Sequence, residues 1–242
     1  KSNNIAAFVM ESGVQMAGGV IIYPNGFQNK IRQLCKKYNI LFVLDEIATG
    51  FGRLGSMIQY ERQKSIPDIV AYGKMLTGGY LTMAATLANK KIYDSFSGEF
   101  DDWKHLFHGH TYTGNPIAAA VANENIYMYE KYNLIKKIKK TSKIFSKYYQ
   151  ETLDIDIVGD IRHKGMLMGI ELVSNKEKKI PIRTKKSINK VFFEEGKKQG
   201  IFLRTLGNIV MIVPPLSIKE NELEMLLSRT VKTIQAAKSK II

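Results

Sequence analysis

Three kinds of side chain that could act on a carbonyl compound follow apolar runs in this sequence. They are Asp45 and Glu46 after Leu41–Leu44, Gly73-Lys74 after Ile69–Tyr72, and the loop His108-Gly109-His110-Thr111 after Trp103. In open parallel sheets, ligands collect beyond the carboxyl ends of the strands, so residues directly after such runs are the first candidates for a site. We therefore expect an acid, an amine and a hydroxyl to converge on one edge of a sheet.

The amine of Lys74 is a candidate nucleophile. A lysine amine that has lost its proton can attack a carbonyl carbon and form an imine. Because an ordinary lysine is almost wholly charged at neutral pH, we expect Lys74 to be buried or to lie beside another cation. Considered in isolation, however, Lys74 fits an ordinary surface position as well.

Asp45 is a candidate acid for the same chemistry. A carboxylate that faces the nitrogen of a pyridine ring keeps that nitrogen protonated, and the protonated ring accepts electrons from a reacting carbon. Taken alone, Asp45 could instead cap a helix that follows the strand. The longer strings of residues around Asp45 and Lys74 decide between these interpretations.

Apolar periodicity predicts a βαβ unit in the first part of the chain. Strand candidates Ile5–Met10 and Ile40–Leu44 flank a helix whose apolar positions run from Phe27 to Tyr38. Continuous apolar strands of this kind predict an α/β fold with a mainly parallel sheet that is covered on both faces. Further elements are strands at Ile69–Tyr72 and Met83–Ala88 and a helix from Asn115-Pro116 to Tyr129.

After about Tyr132 the sequence alternates short strands with amphipathic helices, which predicts a smaller α+β domain. Its elements are a lysine-rich helix that reaches Tyr148, strands at Ile155–Val158, Met166–Leu172 and Ile209–Val213, and helices at Lys185–Gln199 and Glu220–Ala237. We therefore predict two domains, residues 1–132 and residues 133–242, with the boundary within Glu130–Leu134.

Two long strings resemble the class III aminotransferases, which are pyridoxal-phosphate enzymes of fold type I. The strings are Asp45-Glu46-Ile47-Ala48-Thr49-Gly50-Phe51-Gly52-Arg53 and, after Pro67-Asp68-Ile69, Gly73-Lys74-Met75-Leu76-Thr77-Gly78-Gly79. The resemblance extends to Glu11, Gln15, Gly18 and Gly19 upstream and to Asn115-Pro116 downstream. It implies that residues 1–132 are the C-terminal portion of the cofactor-binding large domain and that residues 133–242 are the C-terminal small domain.

The resemblance implies pyridoxal 5'-phosphate as the cofactor. Lys74 would carry the cofactor as a Schiff base, Asp45 would pair with the pyridine nitrogen, and Ile47 would pack on one face of the ring. His110 and Thr111 would reach the cofactor phosphate of the neighbouring subunit, which implies a homodimer with its active site at the subunit interface. The family carries its phosphate cradle and ring-stacking aromatic residue further upstream, so we expect this chain to be a fragment that is inactive alone.

Substrate contacts are also implied by the resemblance. Besides Lys74, Gly109 would line the substrate pocket, and Arg204 would hold a substrate carboxylate, for which a planar guanidinium is well shaped. A different arginine, Arg53, lies between glycines and could either support the loop or meet a substrate charge. We favour the structural role for Arg53.

Within the family, Ala48, the Leu-Thr-Gly-Gly string after Lys74 and the loop His108–Asn115 resemble one subgroup. Its members convert 8-amino-7-oxononanoate to 7,8-diaminononanoate in biotin biosynthesis, with adenosylmethionine or lysine as the amino donor. The resemblance implies the same substrates for this chain. The nearest alternative is a class III enzyme that acts on another ω-amino acid.

The net charge of +14 raises a second alternative, a non-catalytic basic protein that binds nucleic acid. The lysines between positions 136 and 147 alternate with apolar residues at helical spacing, however, which is typical of a solvated helix face. No nucleic-acid motif, membrane-length apolar run or metal-ligand spacing accompanies the charge. We expect a soluble cytoplasmic enzyme without a metal, in which the single cysteine, Cys35, is a buried small hydrophobe.

Overall fold

The computed structural model describes residues 4–182, 184 and 187–241. These residues form two compact units. Unit 1 comprises the residues up to Val14, Tyr23–Phe51 and Ser56–Leu134, and unit 2 comprises Gln15–Ile22, Gly52–Gly55 and the residues from Ile135 onward. The predicted domains, 1–132 and 133–242, differ from these units because they assign the two short segments Gln15–Ile22 and Gly52–Gly55 to the first domain. The two domains stay a prediction.

Unit 1 is built on a four-stranded sheet. In spatial order its strands are β1 (Ala7–Glu11), β4 (Leu41–Asp45), β5 (Ile69–Tyr72) and β6 (Ala85–Ala88). The first three are parallel, and β6 runs antiparallel to β5. The prediction of a mainly parallel α/β sheet is confirmed. Because β4 and β5 are parallel neighbours, Asp45 and the residues that follow Tyr72 lie at the same edge of the sheet.

In the part of unit 1 that the structure describes there are four α-helices. They are α1 (Phe27–Lys37), α2 (Gln59–Arg62), α3 (Lys90–Ser95) and α4 (Pro116–Lys131), and short 3-10 turns span Lys74–Leu76 and Phe100–Asp102. Helix α4 begins as predicted, with proline in its first turn and the Asn115 side chain accepting hydrogen bonds from the backbone N–H groups of Ile117 and Ala118 at 2.9 and 3.2 Å. In α1, Cys35 is buried, as predicted.

Part of the apolar surface of this sheet is open to solvent. Phe8 and Val9 of β1 are 41% and 65% exposed, and Leu87 of β6 is 51% exposed. Leu34 and Tyr38 near the end of α1 are also exposed. The prediction that both faces are covered is therefore wrong for the described residues. An apolar run identifies a strand, but it does not say which other segment lies over it, and β1 and β6 are the outer strands.

Unit 2 contains an antiparallel sheet. Its main strands are β7 (Val158–His163), β8 (Met168–Asn175), β10 (Arg204–Leu206) and β11 (Ile209–Ile212) in the spatial order β10-β11-β8-β7, with β9 (Ile180–Pro181) paired to β8. A separate short ladder is formed by β2 (Val14–Gln15) and β3 (Ile21–Ile22). The strand predicted at Ile155–Val158 is wrong. Ile155 and Ile157 are buried in a turn that leads into β7, and burial in a turn gives the same apolar run as burial in a strand.

The helices associated with unit 2 are amphipathic. They are α5 (Leu134–Thr141), a 3-10 segment (Ser142–Tyr148), α6 (Tyr149–Leu153), α7 (Ile188–Lys198) and α8 (Glu220–Ile241). The lysines between positions 136 and 147 are exposed, whereas Ile138 and Phe145 are buried, so the predicted solvated face is confirmed. The helix predicted from Lys185 begins partly outside the described residues. Within the described chain, every helix is too short or too polar to cross a membrane.

Candidate active site at the carboxyl ends of two parallel strands

Asp45 is the last residue of β4. Its partners in register are Glu11 of β1 and Ala71 of β5. The side chain is half-buried, and its Oδ1 accepts a hydrogen bond of 2.8 Å from the backbone N–H of Ile47. The other oxygen, Oδ2, accepts no hydrogen bond from the described residues. The Asp45 carboxylate therefore keeps one oxygen for the N–H of a ligand.

Lys74 follows β5 after one intervening residue, Gly73, and begins the 3-10 turn that ends at Leu76. Its backbone φ of 42° lies in the left-handed region, which residues with a side chain seldom adopt. Strained positions of this kind recur at functional sites. The Lys74 side chain is exposed, so of the two predicted surroundings, burial is wrong in the described chain and a neighbouring cation stays a prediction. The reason for the exposure is the position of Lys74 beyond the last strand residue, at the open edge of the sheet.

Ile47 and Gly73 connect the acid to the amine. A Cβ atom placed on Gly73 would lie 3.2 Å from Cγ2 of Ile47, so the Ile47 side chain packs closely on the backbone that precedes Lys74. The backbone N–H of Ile47 is in turn bonded to Asp45. The structure thus brings Asp45, Ile47 and the start of the Lys74 turn together on neighbouring parallel strands.

Glu46 is the second acid after β4, and the sequence analysis gave an individual role to Asp45 but not to Glu46. Its side chain is fully buried, with Oε1 accepting from the Tyr60 N–H at 2.7 Å and Oε2 from the Gln59 N–H at 2.9 Å. Burial raises the pKa of Glu46, and these hydrogen bonds together with the Ser12 hydroxyl oppose that rise. Strand alternation was the available signal, because the residue after an outward-facing acid points inward, where a carboxylate needs donors.

The loop that contains Gly109, His110 and Thr111 is exposed at the surface of unit 1. Within it, the His110 N–H donates to Thr113 Oγ1 at 2.9 Å, and the Tyr112 N–H donates to His110 Nδ1 at 3.1 Å. No hydrogen bond or ion pair in the described chain joins this loop to the acid or the amine. The predicted convergence of a loop hydroxyl with the acid and the amine therefore stays a prediction.

The two candidate arginines differ in environment. Arg53 is 5% exposed, and its Nη1 donates to the backbone carbonyls of Met166 and Pro214 at 2.8 and 2.7 Å. These contacts within unit 2 support the structural role that we favoured for Arg53. Arg204 is the first residue of β10, is exposed, and forms no ion pair with the described residues. Its guanidinium is therefore available to an external carboxylate.

The residues at the strand ends fit a pyridine ring that carries an aldehyde. Such a group needs an acceptor for its ring N–H, an apolar surface against the ring and an amine that can reach the aldehyde carbon. Asp45 Oδ2 can be the acceptor, Ile47 the apolar surface and Lys74 the amine, and all three residues belong to unit 1. Lys74 forms no ion pair with any described residue, so its amine is not committed elsewhere.

Comparison with known proteins agrees with this chemistry. Residues 1–234 match the family model described as aminotransferase class III. Among curated relatives, adenosylmethionine-8-amino-7-oxononanoate aminotransferase from Aquifex aeolicus is 40% identical over 220 residues, which cover 91% of this chain and 49% of that protein. The chain thus spans about half the length of the curated relatives that it matches.

Two solved structures show the same fold. Adenosylmethionine-8-amino-7-oxononanoate aminotransferase from Methanocaldococcus jannaschii superimposes with a TM-score of 0.89 at 39% identity, covering 94% of this chain and 53% of that one. The omega transaminase from Pseudomonas jessenii in complex with PMP has a TM-score of 0.90 at 31% identity, covering 98% of this chain and 52% of that one. Both similarities extend over nearly the whole chain.

Proposed function

Since this chain belongs to the class III aminotransferases, we propose that it supplies the lysine and the acid of a pyridoxal-phosphate-dependent aminotransferase. One observation carries the proposal: β4 and β5 are parallel neighbours, with Asp45 opposite Ala71 and with Ile47 packed on Gly73 beside Lys74. The roles given below to individual residues follow from that arrangement and from the chemistry of each side chain.

Pyridoxal 5'-phosphate, when bound, supplies a protonated pyridine ring that takes up the electron pair left as a substrate C–H bond breaks. Asp45 would maintain this property, because its free Oδ2 can accept the ring N–H and so hold the proton on nitrogen. Ile47 would offer its apolar side chain to one face of the ring. Both roles use groups that are already fixed at the end of β4.

The Lys74 amine would have two tasks. It would hold the cofactor covalently before the reaction, and once a substrate amine displaces it, the freed amine would move a proton between the substrate carbon and the cofactor. The left-handed turn at Lys74 directs the chain away from β5 directly after Gly73. A second substrate would receive the amino group by the same steps in reverse, as in ping-pong transamination.

For the substrates, we propose 8-amino-7-oxononanoate as the amino acceptor, 7,8-diaminononanoate as the product, and adenosylmethionine or lysine as the donor, in cytoplasmic biotin biosynthesis. Support comes from the names of the relatives in Aquifex aeolicus and Methanocaldococcus jannaschii, which match most of this chain. Arg204 would hold the carboxylate of the keto acid, and Gly109 would line the substrate pocket. The exposed guanidinium of Arg204 is consistent with that role.

We also propose a homodimer in which His110 and Thr111 reach the cofactor phosphate of the neighbouring subunit. The loop around them is exposed and is ordered by its own hydrogen bonds. Its flanking aromatic residues Phe107 and Tyr112 are 79% and 76% exposed, which leaves apolar surface for a second copy to cover.

A substitution of Lys74 tests the proposal. The experiments below use the natural protein that contains this sequence, which we call the full-length protein. In this protein, Lys74→Ala should abolish the absorbance of the lysine-bound cofactor and lower the rate of transamination by about 10²-fold to 10⁴-fold. Lys64→Ala is a matched control, because Lys64 is also an exposed lysine of unit 1 with a left-handed backbone, φ 52°. Retained transamination in Lys74→Ala would overturn the assignment.

The similarity to an omega transaminase favours a second candidate function, transfer to or from another ω-amino compound. Substrate competition separates the two. Full-length protein loaded with cofactor should lose the absorbance of the lysine-bound form when adenosylmethionine or lysine is added as donor, and 8-amino-7-oxononanoate should restore it. If 4-aminobutyrate or ornithine acts as donor and 8-amino-7-oxononanoate restores nothing, the second candidate is correct.

A further inference from the structure

Glu46 lies between the two residues for which we propose contact with the cofactor ring. Asp45 precedes it and Ile47 follows it, and both are only partly buried. Glu46 itself is completely buried, and both of its carboxylate oxygens accept backbone N–H groups of Gln59 and Tyr60. Any effect of Glu46 on the cofactor would therefore be exerted through its two neighbours.

Glu46 is fixed by hydrogen bonds on its backbone and on its side chain. Its N–H donates to the carbonyl of Ala71 in β5, and its own carbonyl accepts from the N–H of Gly50, both at 2.9 Å. Its carboxylate accepts the N–H groups of Gln59 and Tyr60. These four bonds hold both peptide units that flank Glu46, and through them the backbones of Asp45 and Ile47.

The turn closed by Glu46 packs closely against Gly50. A Cβ atom on Gly50 would lie 2.9 Å from the Glu46 carbonyl oxygen, which is closer than van der Waals contact allows. The Gln59 side chain is itself held, since its Nε2 donates to Ser56 Oγ at 2.6 Å. The carboxylate therefore joins the strand end to a segment that is already ordered.

We propose that Glu46 is a positioning residue that sets the hydrogen bond between Asp45 and the pyridine nitrogen of the bound cofactor. This inference rests on the proposed function, in which Asp45 holds the proton on that nitrogen. Hydrogen bonds weaken steeply with poor distance and angle, and a small misplacement at a reacting centre costs a large factor in rate. Glu46 supplies the two side-chain anchors that keep Asp45 from shifting along the end of β4.

The test uses the full-length protein loaded with cofactor that carries ¹⁵N in its pyridine ring. The ¹⁵N chemical shift reports protonation of that nitrogen directly, and a loss of general stability would not move it. In Glu46→Gln the side-chain NH₂ replaces one carboxylate oxygen, so only one of the N–H groups of Gln59 and Tyr60 keeps its acceptor. We expect the resonance to move toward the unprotonated position, and kcat to fall by about 10-fold to 100-fold with KM changed by less than about twofold.

Controls separate this inference from the proposed function. Asp45→Asn defines the full spectral change, and Glu61→Gln makes the same substitution at an exposed glutamate of α2 and should change nothing. If Asp45→Asn leaves the resonance unmoved, the proposed function fails. If Asp45→Asn moves it and a folded Glu46→Gln does not, the inference on Glu46 is overturned and the proposed function stands. Should Glu46→Gln not fold, Glu46→Asp decides, because it keeps the charge but its side chain is one methylene shorter and cannot hold the N–H groups of Gln59 and Tyr60 in the same way: a shift in the same direction supports the inference, and no shift overturns it.

Discussion

The end of β4 and the loop around His110 hold candidate site residues in opposite ways. At the end of β4, Asp45 is bonded to the backbone of Ile47, and the adjacent Glu46 is buried and bonded to Gln59 and Tyr60. The loop is exposed throughout, and its hydrogen bonds join residues two or three positions apart. The strand end is thus positioned by distant parts of the unit, whereas the hydrogen bonds that hold the loop, among the described residues, lie within the loop itself.

This difference fits two separate roles for the strand end and the loop in the proposed active site. A group that must keep a fixed distance from a reacting atom benefits from a rigid sheet edge. A group that binds the periphery of a ligand can lie on a surface loop that a second subunit completes, which is the role proposed for His110 and Thr111. Substitutions at the strand end should therefore affect rate, and those in the loop should affect cofactor affinity and assembly.

The largest effect in this comparison is expected for Ile47→Ala. The change removes apolar contact with the cofactor ring and with Gly73. Loss of a partly buried aliphatic side chain costs about 1–3 kcal/mol, which corresponds to cofactor binding weaker by roughly 5-fold to 150-fold. Equilibrium titration of the full-length apoprotein with pyridoxal phosphate measures the affinity for the cofactor. Ile66→Ala, at a 71% exposed isoleucine of the same unit, is the control. Equal affinities of Ile47→Ala and parent protein would contradict the proposed ring contact.

A smaller effect is expected for Thr111→Ala in the loop. Loss of one hydroxyl donor to a phosphate should weaken cofactor binding by about 10-fold, since a hydrogen bond to a charged group is worth about 1.5 kcal/mol. Because Thr111 is exposed, the melting temperature of the apoprotein should not change. Thr113→Ala is an informative comparison, because Thr113 holds the loop internally by accepting the His110 N–H. If Thr111→Ala lowers the apoprotein melting temperature and leaves affinity unchanged, the residue is structural.

The smallest effect concerns pH. Burial raises the pKa of Glu46 above its ordinary value of 4.5, so the folded protein binds the Glu46 proton more readily than the unfolded chain does. This contribution to stability is greatest below the ordinary pKa and is lost as pH rises through the raised one. The melting temperature of the parent protein relative to Glu46→Gln should therefore increase as pH is lowered from neutrality toward 4.5.

Other titrating groups do not obscure that comparison. His163 in unit 2 has its pKa lowered by burial, so its contribution is lost as pH falls, in the opposite direction. Both proteins contain His163, and its contribution cancels in the difference between their melting temperatures. If the difference is constant between pH 7 and pH 5, the Glu46 carboxyl does not titrate abnormally in the folded protein.

The positions of the strand ends could be predicted from the sequence because two independent signals agree there. The apolar run Ile69–Tyr72 coincides with β5 residue for residue, and the polar residues after β4 and β5 lie at the same edge because parallel strands must end together. The exposure of the Lys74 side chain could not be predicted from the apolar runs. Exposure depends on which other segments lie over the edge of the sheet, and an apolar run does not identify those segments.

The same limit explains the other errors. The apolar residues of β1 were predicted to be buried from their type, yet Phe8 and Val9 are exposed because β1 is an outer strand of the described sheet. Ile155 and Ile157 are apolar because they are buried in a turn, and only Val158 of the predicted strand is extended, as the first residue of β7. Glu46 received no role because its partners, Gln59 and Tyr60, lie more than ten positions away in sequence and become neighbours only in the fold.

The central claim is that the Lys74 amine bonds to the aldehyde carbon of pyridoxal phosphate. Borohydride reduction of the full-length protein with stoichiometric cofactor, followed by peptide mass spectrometry, measures which lysine carries the label. We predict a single pyridoxyl group on Nζ of Lys74, with none on the control residue Lys64. A label spread over several surface lysines, or confined to a lysine other than Lys74, would contradict the account.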